Sequence, residues 1–118
     1  PRYRLYVTAT RNNTLITFTR PSGNPIATIT GGTVGFKGAK KSSYEAGYAC
    51  ATKAFGLIKQ VKEEENKMDL ELFLSGFGQG RDAVYRALMS EEGSWVKDMI
   101  VRLTDKTPIK IGGTRSKK

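Results

Sequence analysis

Histidine is absent from this 118-residue sequence, and cysteine occurs only once. Without histidine the chain cannot form a Ser-His-Asp or Cys-His catalytic pair, and a zinc site built from cysteine and histidine is excluded as well. A single cysteine cannot close an internal disulfide, which excludes a small secreted fold held by disulfides. No apolar run approaches the roughly 20 residues needed to span a bilayer. We therefore expect neither a histidine-based enzyme nor a membrane protein.

Acidic residues are missing from both ends of the sequence. None occurs before Glu45 or after Asp105, whereas these two flanks carry seven and five basic residues. The part between them holds eight bases and eleven acids, so the net charge of +9 comes from the flanks. This asymmetry favours a polyanionic partner, nucleic acid above all, over charge that serves only solubility.

The length and the 38% of hydrophobic residues are typical of one domain with a modest core. We predict a single α/β domain over residues 1–105 and a basic C-terminal tail over residues 106–118, where proline and glycine oppose regular structure. Because the sequence starts at Pro1 rather than at methionine, a leader peptide carrying a targeting signal can precede it.

Alternating apolar residues and β-branched runs predict three strands in the N-terminal part, over Tyr3–Thr10, Leu15–Arg20 and Ile26–Thr30. Asparagine favours a tight turn between the first two strands, and the dense run of proline, glycine and asparagine at residues 21–25 predicts the next turn. The N-terminal part is therefore predicted to be a β-meander.

A capping box is predicted at Ser42, with Glu45 three residues later, and the apolar spacing continues as a helix to about Val61. Cys50 lies on the apolar face of that helix and is therefore predicted to belong to the core. The remaining elements follow in order: a strand over Asp69–Ser75, a helix to about Glu91 that Gly93 ends, and a last strand over Trp95–Thr104. The order β-β-β-α-β-α-β predicts a mixed sheet with helices packed on it.

Two glycine-rich loops precede the two helices. The first, Gly31–Ser43, combines lysines with the N-terminus of a helix, a combination that favours phosphate binding over a merely flexible surface loop. The second, Gly76–Arg81, has the spacing G-x-G-x-G, which fits neither the dinucleotide-binding fingerprint G-x-G-x-x-G nor the phosphate loop G-x-x-x-x-G-K-[ST]. A structural tight turn and a contact with an RNA backbone both fit this second loop better than a mononucleotide site.

Asn12 and Asn13 can simply form the hairpin turn, or they can reach bases and phosphates from its tip; the sequence leaves both readings open. The basic tail favours a segment that becomes ordered on a polyanion. A nuclease of the ribonuclease-H type needs clustered carboxylates to hold metal ions, and the first three strands supply none. We therefore predict a binding protein without enzymatic activity, cofactor or metal.

Four motifs in order along the chain resemble those of one family. They are Asn12-Asn13-Thr14, similar to an Asn-Asn-Thr hairpin tip; residues 35–42, similar to Gly-Phe-[Arg/Lys]-Gly-[Ser/Ala]-[Arg/Lys]-Lys-Ser; residues 78–81, similar to Gly-x-Gly-Arg; and residues 105–109, similar to Asp-x-Thr-Pro-Ile, with Gly113 and Arg115 following. From about Leu5 to Arg115 the sequence thus resembles the universal small-subunit ribosomal proteins of the eleventh family. Four motifs in the right order are specific, although each alone is weak.

The resemblance implies a ribonuclease-H-like α/β fold without nuclease activity. It also implies binding to the platform (central) region of small-subunit ribosomal RNA, near the exit side of the messenger path and next to the seventh-family ribosomal protein, with no membrane partner. A free RNA-binding regulator of the same fold is the alternative. The candidate RNA contacts are Asn12, Asn13, Gly35, Phe36, Lys37, Gly38, Lys40, Lys41, Ser42, Gly78, Gly80, Arg81, Thr107, Pro108, Lys110, Gly113, Arg115, Lys117 and Lys118.

Three departures from the family pattern bear on the compartment. The family's Pro-His-Asn-Gly-Cys-Arg-Pro-Pro segment is replaced at residues 110–117, Phe77 and Gln79 stand where prolines are common, and the acidic run at residues 63–65 has no clear counterpart. Such divergence predicts an organellar ribosome, and a mitochondrial one first of all. A bacterial ribosome or that of another organelle is the alternative.

Overall fold

The computed structural model of the protein describes residues 2–64, 68–76, 78–91 and 93–105. The predicted basic tail lies outside the described residues. Within them, the chain forms the following elements: β1 (Arg2–Ala9), β2 (Thr14–Thr19), β3 (Pro25–Thr30), a 3₁₀ helix (Gly38–Ser42), α1 (Tyr44–Glu64), β4 (Asp69–Gly76), α2 (Gln79–Met89), α3 (Ser94–Met99) and β5 (Ile100–Asp105).

The strands form one mixed five-stranded sheet in the order β3-β2-β1-β4-β5. β1 is antiparallel to β2 and β2 to β3, whereas β1, β4 and β5 run parallel to one another. The predicted α/β class and mixed sheet are therefore confirmed. The ribonuclease-H-like designation stays an expectation from the resemblance.

The core lies on one face of the sheet because side chains along a strand alternate between its two faces. Leu5 and Val7 of β1 and Leu72 of β4 are buried against α1 and α2, whereas Tyr6 and Phe73 stack on the opposite face with ring centroids 4.7 Å apart. The predicted core position of Cys50 is confirmed, since its exposed fraction is 0%.

The prediction of one strand over Trp95–Thr104 is wrong in its first half. Residues 94–99 form α3, and only residues 100–105 form β5. Val96 is fully buried, and Trp95 and Met99 pack partly against the core. Tertiary packing therefore overrides the strand preference of this tryptophan- and valine-containing segment.

Helix boundaries differ from the predictions in detail. Ser43 rather than Ser42 caps α1, because the Ser43 Oγ accepts a hydrogen bond of 3.2 Å from the Ala46 N–H. α2 ends at Met89, two residues before the predicted end, and Ser90 donates its N–H to the last turn. No helix within the described ranges is long and apolar enough to cross a membrane.

Candidate nucleic-acid interface

The tip of the β1–β2 hairpin is closed by Thr10. Its Oγ1 accepts from the N–H groups of Asn12 and Asn13 at 3.3 and 3.1 Å, and the Thr10 N–H donates to the Asn13 carbonyl at 2.9 Å. The turn is thus satisfied by its own residues, and the Asn12 side chain is left exposed at the tip.

Asn13 connects the hairpin tip to the glycine-rich loop. Its Oδ1 accepts two backbone hydrogen bonds, from the Thr14 N–H at 2.8 Å and from the Gly31 N–H at 3.0 Å. Gly31 follows β3 directly, so one side chain holds the hairpin tip and the end of β3 together. Of the two predicted asparagine contacts, the structure thus places Asn13 in a supporting position and Asn12 in an accessible one.

The glycine-rich loop folds back and continues as the 3₁₀ helix. Gly31 packs against the backbone of Lys41: a Cβ on this glycine would lie 2.5 Å from the Lys41 carbonyl oxygen. Lys37 and Lys40 are exposed and Lys41 is half-buried. The backbone that carries these lysines is therefore held in place by packing.

The hairpin tip and the 3₁₀ helix border the same open depression. Arg11, Asn12, Gly38 and Lys41 line this space of about 500 Å³. A second depression of about 460 Å³ lies between Phe36, Lys40, Ser43 and Glu45. The first of these is lined by two cations and no carboxylate, which is the electrostatic character required for a phosphate backbone.

The starts of α1 and α2 are joined directly. The Tyr44 N–H, one of the free donors in the first turn of α1, donates to the Gln79 Oε1 of α2 at 3.2 Å. A Cβ on Gly47 of α1 would lie 2.8 Å from the Gly80 Cα of α2, so the helices touch backbone to backbone. Both helix N-termini consequently lie on one side of the molecule.

Gly80 also connects α2 to the hairpin, because a Cβ on this residue would overlap the Thr14 side chain. Gly80 is buried, so the structure places this predicted contact in the interior, where it packs. The motifs around Asn12, Lys37 and Gly78 therefore meet at one edge of the protein. We call this edge, formed by residues 10–13, 31–44 and 78–81, the loop edge.

Arg81 is already engaged within the protein. Its Nη1 donates to the Gly76 carbonyl at 3.0 Å and to the Asp105 Oδ1 at 3.3 Å, and its Nη2 donates to the Asp105 Oδ2. The Arg81 side chain is 16% exposed, and the hydrogen bonds to Asp105 raise its pKa above the ordinary value. This guanidinium is therefore largely neutralised before any ligand arrives.

Among the predicted contacts, the described residues divide into two groups. Those exposed to solvent are Asn12, Gly35, Lys37, Gly38, Lys40 and Gly78; those buried or half-buried are Asn13, Phe36, Lys41, Ser42, Gly80 and Arg81. The predicted contacts in the tail, Thr107, Pro108, Lys110, Gly113, Arg115, Lys117 and Lys118, lie outside the described residues. The candidate set omitted Arg11 and Gln79. Arg11 could have been included from the sequence, because it directly precedes the two asparagines. Nothing in the sequence indicated the hydrogen bond between Gln79 and Tyr44.

The chemistry available at the loop edge is binding. Exposed lysines, backbone N–H groups and an asparagine amide can contact phosphates and base edges. Across the part of the chain that the structure describes, no three histidine, cysteine, aspartate or glutamate residues are close enough to hold a metal ion.

Comparison with known proteins gives one family. The model of the family described as Ribosomal protein S11 matches residues 4–118. The small ribosomal subunit protein uS11m of Neurospora crassa is 34% identical over 116 residues, which cover 98% of this chain and 31% of that protein. The protein of the same name from Schizosaccharomyces pombe is 34% identical over 117 residues, covering 98% and 51%. Small ribosomal subunit protein uS11 of Aquifex aeolicus is 39% identical over 111 residues, covering 94% and 82%. The chain thus spans about a third to a half of the fungal relatives and most of the bacterial one.

Proposed function

Because the chain belongs to the ribosomal protein S11 family, whose members are structural components and not enzymes, we propose that it is a structural constituent of a mitochondrial small ribosomal subunit. In this proposal the loop edge binds the platform region of the small-subunit ribosomal RNA. The site lies near the exit side of the messenger path, and the seventh-family ribosomal protein is a neighbour. The names of the relatives support the ribosomal role, and the two fungal uS11m proteins support the mitochondrial compartment.

The observation that carries the proposal is the convergence of three separate motifs at the loop edge. The hairpin tip and the 3₁₀ helix share the depression lined by Arg11, Asn12 and Lys41. The starts of α1 and α2 join them through the Tyr44–Gln79 hydrogen bond. Segments from three parts of the sequence thus form one cationic surface of the kind that follows an RNA backbone.

The binding mechanism follows from which groups are accessible. Lys37 and Lys40, together with Arg11, neutralise phosphates and release counterions, which makes the affinity dependent on salt. Asn12 reaches base edges or sugar-phosphate oxygens from the hairpin tip. Asn13 and the two helix starts contribute by holding these groups in a fixed arrangement, so that little conformational entropy is lost on binding.

The basic tail is proposed to add a second contact. Residues 106–118 contain five bases and no acid, so they can extend the cationic surface along the RNA. The tail contacts proposed from the family pattern are Thr107, Pro108, Lys110, Gly113, Arg115, Lys117 and Lys118. Residues 1–105 are proposed to act as the folded domain that carries this tail.

The test is sedimentation of lysed, purified mitochondria that contain the tagged protein, through sucrose gradients at low and high salt. We expect co-migration with the small subunit that persists until the salt concentration is high. A variant with Lys37, Lys40 and Lys41 changed to glutamine should dissociate at a lower salt concentration. The matched control changes Lys53, Lys59 and Arg86, three exposed bases outside the loop edge, to glutamine and should behave as the unaltered protein.

The same gradients distinguish the alternatives. A protein confined to light fractions would favour a free RNA-binding regulator of the same fold over a ribosomal constituent. Absence from mitochondria, together with co-migration with small subunits in another compartment, would keep the ribosomal role and overturn the mitochondrial one; bacterial relatives match this chain as well.

A further inference from the structure

Large apolar side chains are exposed at one edge of the sheet. Among the described residues, the exposed large apolar side chains are Leu15, Met89, Val101 and Leu103. Val101 and Leu103 lie on β5, and Met89, the last residue of α2, lines the same groove as Leu103. The exposed fractions of Met89, Val101 and Leu103 are 63%, 51% and 50%. Apolar residues that are exposed together mark an interaction site, whereas single ones need no explanation.

The groove lies between this edge of the sheet and the helices α2 and α3. It has a volume of about 280 Å³, and its lining includes Leu72, Tyr85, Met89, Lys97, Ile100 and Leu103. Among the described residues that line it, Lys97 alone is charged. The Lys97 Nζ donates to the Met89 Sδ at 3.4 Å, a weak acceptor, and no described carboxylate forms an ion pair with it. A carboxylate that a ligand brings to the groove would therefore meet an ammonium group that lacks an anionic partner.

The two edges of the sheet differ in how their backbone is protected. β5 is the last strand and pairs with β4 on one side, so its other side has no strand partner among the described residues. β3, at the opposite edge, begins with Pro25, which has no N–H, and carries no exposed large apolar side chain. In the part of the chain that the structure describes, β5 thus combines an open backbone edge with an apolar groove.

We propose that β5 and this groove bind an extended segment of another protein, which adds a sixth strand to the sheet. Side chains two positions apart in a strand lie on the same face. One apolar side chain of the segment enters the groove beside Leu103, and a carboxylate two positions away pairs with Lys97. Main-chain hydrogen bonds to β5 supply affinity, and the groove selects the side chains. This surface is separate from the loop edge, so the inference goes beyond the proposed function.

The charge and polarity of the groove favour such a protein segment over two other occupants. An RNA backbone is bound by several cations together, and the groove offers Lys97 within an otherwise uncharged lining. A second copy of this chain carries the same net charge of +9 and would bring its own Lys97 to the contact. Like charges placed opposite each other oppose association. The complementary partner is therefore an apolar segment that carries acidic side chains.

The first test uses two short synthetic peptides with a fluorescent label. One has the sequence Thr-Val-Thr-Glu-Thr-Val-Thr-Glu-Thr, which places valine and glutamate on one face, and the other has lysine in place of glutamate. We expect the glutamate peptide to bind the full chain about 10-fold more tightly than the lysine peptide, as measured by fluorescence anisotropy. Equal affinities of the two peptides would overturn the inference.

Variants of the protein separate binding in the groove from attraction by net charge. Leu103→Asn should weaken binding of the glutamate peptide by about 10-fold and Lys97→Gln by about 3-fold. Met89→Gln is a second groove variant that leaves β5 unaltered, and it should weaken binding as well. The matched control is Lys53→Gln, at an exposed position of α1, which should not change the affinity. Thermal unfolding followed by circular dichroism checks that each variant is folded. Equal affinities in all variants would overturn the inference, because the peptide would then bind by net charge alone.

Methylation of the peptide backbone tests whether the segment binds as a strand. Two further glutamate peptides keep every side chain, but each is N-methylated on the amides of one of its two edges and cannot donate hydrogen bonds from that edge. Together they cover the parallel and the antiparallel arrangement beside β5. We expect one of the two to lose about 10-fold in affinity. Unchanged affinity of both would show that no strand is added.

The class of the natural partner is tested by photo-cross-linking. Benzoylphenylalanine replaces Leu103 in the tagged protein of the sedimentation experiment, and in the control it replaces Thr28, an exposed residue of β3. We expect position 103, unlike position 28, to cross-link to an apolar and acidic segment of another protein, identified by mass spectrometry. A cross-link to RNA, a cross-link to a second copy, or no cross-link at position 103 would overturn the inference. Sedimentation of the tagged protein tests the proposed function independently, so the two can fail separately.

Discussion

Gly47 of α1 and Gly80 of α2 touch at the crossing of the two helices, and neither has room for a side chain. A Cβ on Gly47 would lie 2.8 Å from the Gly80 Cα and 2.9 Å from its carbonyl oxygen. Both neighbours are backbone atoms, which cannot move without displacing α2. This crossing keeps the two helix starts together at the loop edge.

We therefore expect Gly47→Ala to destabilise the protein by about 2 to 3 kcal/mol, as overpacking in a close-packed core does. Gly56→Ala is the matched control on the same helix, because Gly56 is exposed and a Cβ there would meet nothing within 4 Å. The control should gain about 0.5 to 1 kcal/mol, since alanine has the higher helix propensity. Urea unfolding of the two variants measures the difference, and equal stabilities would contradict the close crossing.

Asn12 and Asn13 are adjacent, yet they should respond to substitution in different ways. Asn13→Ala removes the acceptor of the Thr14 and Gly31 N–H groups, so the free energy of unfolding should fall by about 1 to 3 kcal/mol. Asn12→Ala should leave stability within about 0.5 kcal/mol and weaken RNA binding instead. Asn13→Asp retains the accepting oxygen and should recover part of the stability. Unfolding and RNA-binding titrations of the same preparations separate the two effects; a stability loss at Asn12 would be evidence against these roles.

The basic loop should account for a defined part of the salt dependence. On duplex nucleic acid the logarithm of the affinity falls with the logarithm of the salt concentration by about 0.9 per phosphate neutralised. Changing Lys37, Lys40 and Lys41 together to alanine should flatten the slope by about two to three units. Fluorescence anisotropy with a transcript of the central region of the small-subunit ribosomal RNA, at several salt concentrations, gives the slope. An unchanged slope would show that this loop does not contact phosphates.

Cys50 should make stability depend on alkaline pH. Burial raises the pKa of its thiol from 9.0 to about 11. Well below pH 9 the thiol is protonated in the folded and the unfolded chain alike, so it has no effect there. Between pH 9 and 11 only the unfolded state ionises, and this stabilises the unfolded state by about 3 kcal/mol.

The free energy of unfolding should therefore fall more steeply over this interval in the unaltered protein than in Cys50→Ala. The variant shares every other alkaline titration and loses only that of the thiol. Parallel curves for the two proteins would mean that Cys50 ionises as readily in the folded state as in the unfolded one.

Sequence periodicity was sufficient for the meander and for α1, because alternating and helical apolar spacing each identify one buried face. It failed at Trp95 and Val96, whose intrinsic preference for strands loses to packing of a short helix against the core. The one-residue difference between Ser42 and Ser43 has a similar origin: either serine can cap α1, and the preceding 3₁₀ helix decides which one does.

The candidate site was predicted as a set of segments but not as an arrangement. Lysines and glycines before helices are local patterns, and they can be recognised without a structure. Arg81 of α2 pairs with Asp105, which lies 24 positions later at the end of β5. The hydrogen bond between Tyr44 and Gln79 spans 35 positions. Such contacts depend on the completed fold, so the internal hydrogen bonds of Arg81 and Asn13 could not be predicted from the sequence.

The position of β1 in the sheet also bears on how the chain is made. β1 pairs with β2 across a short turn, but its other edge receives β4, which lies beyond the whole of α1 in sequence. Until Asp69–Gly76 has emerged from the ribosome or crossed a membrane, that edge of β1 has free backbone donors and acceptors. The pairing of β1 with β4 is a non-local contact, and such contacts form more slowly than local ones. Until β4 arrives, the open edge of β1 is therefore the place where the nascent chain can pair with another extended segment.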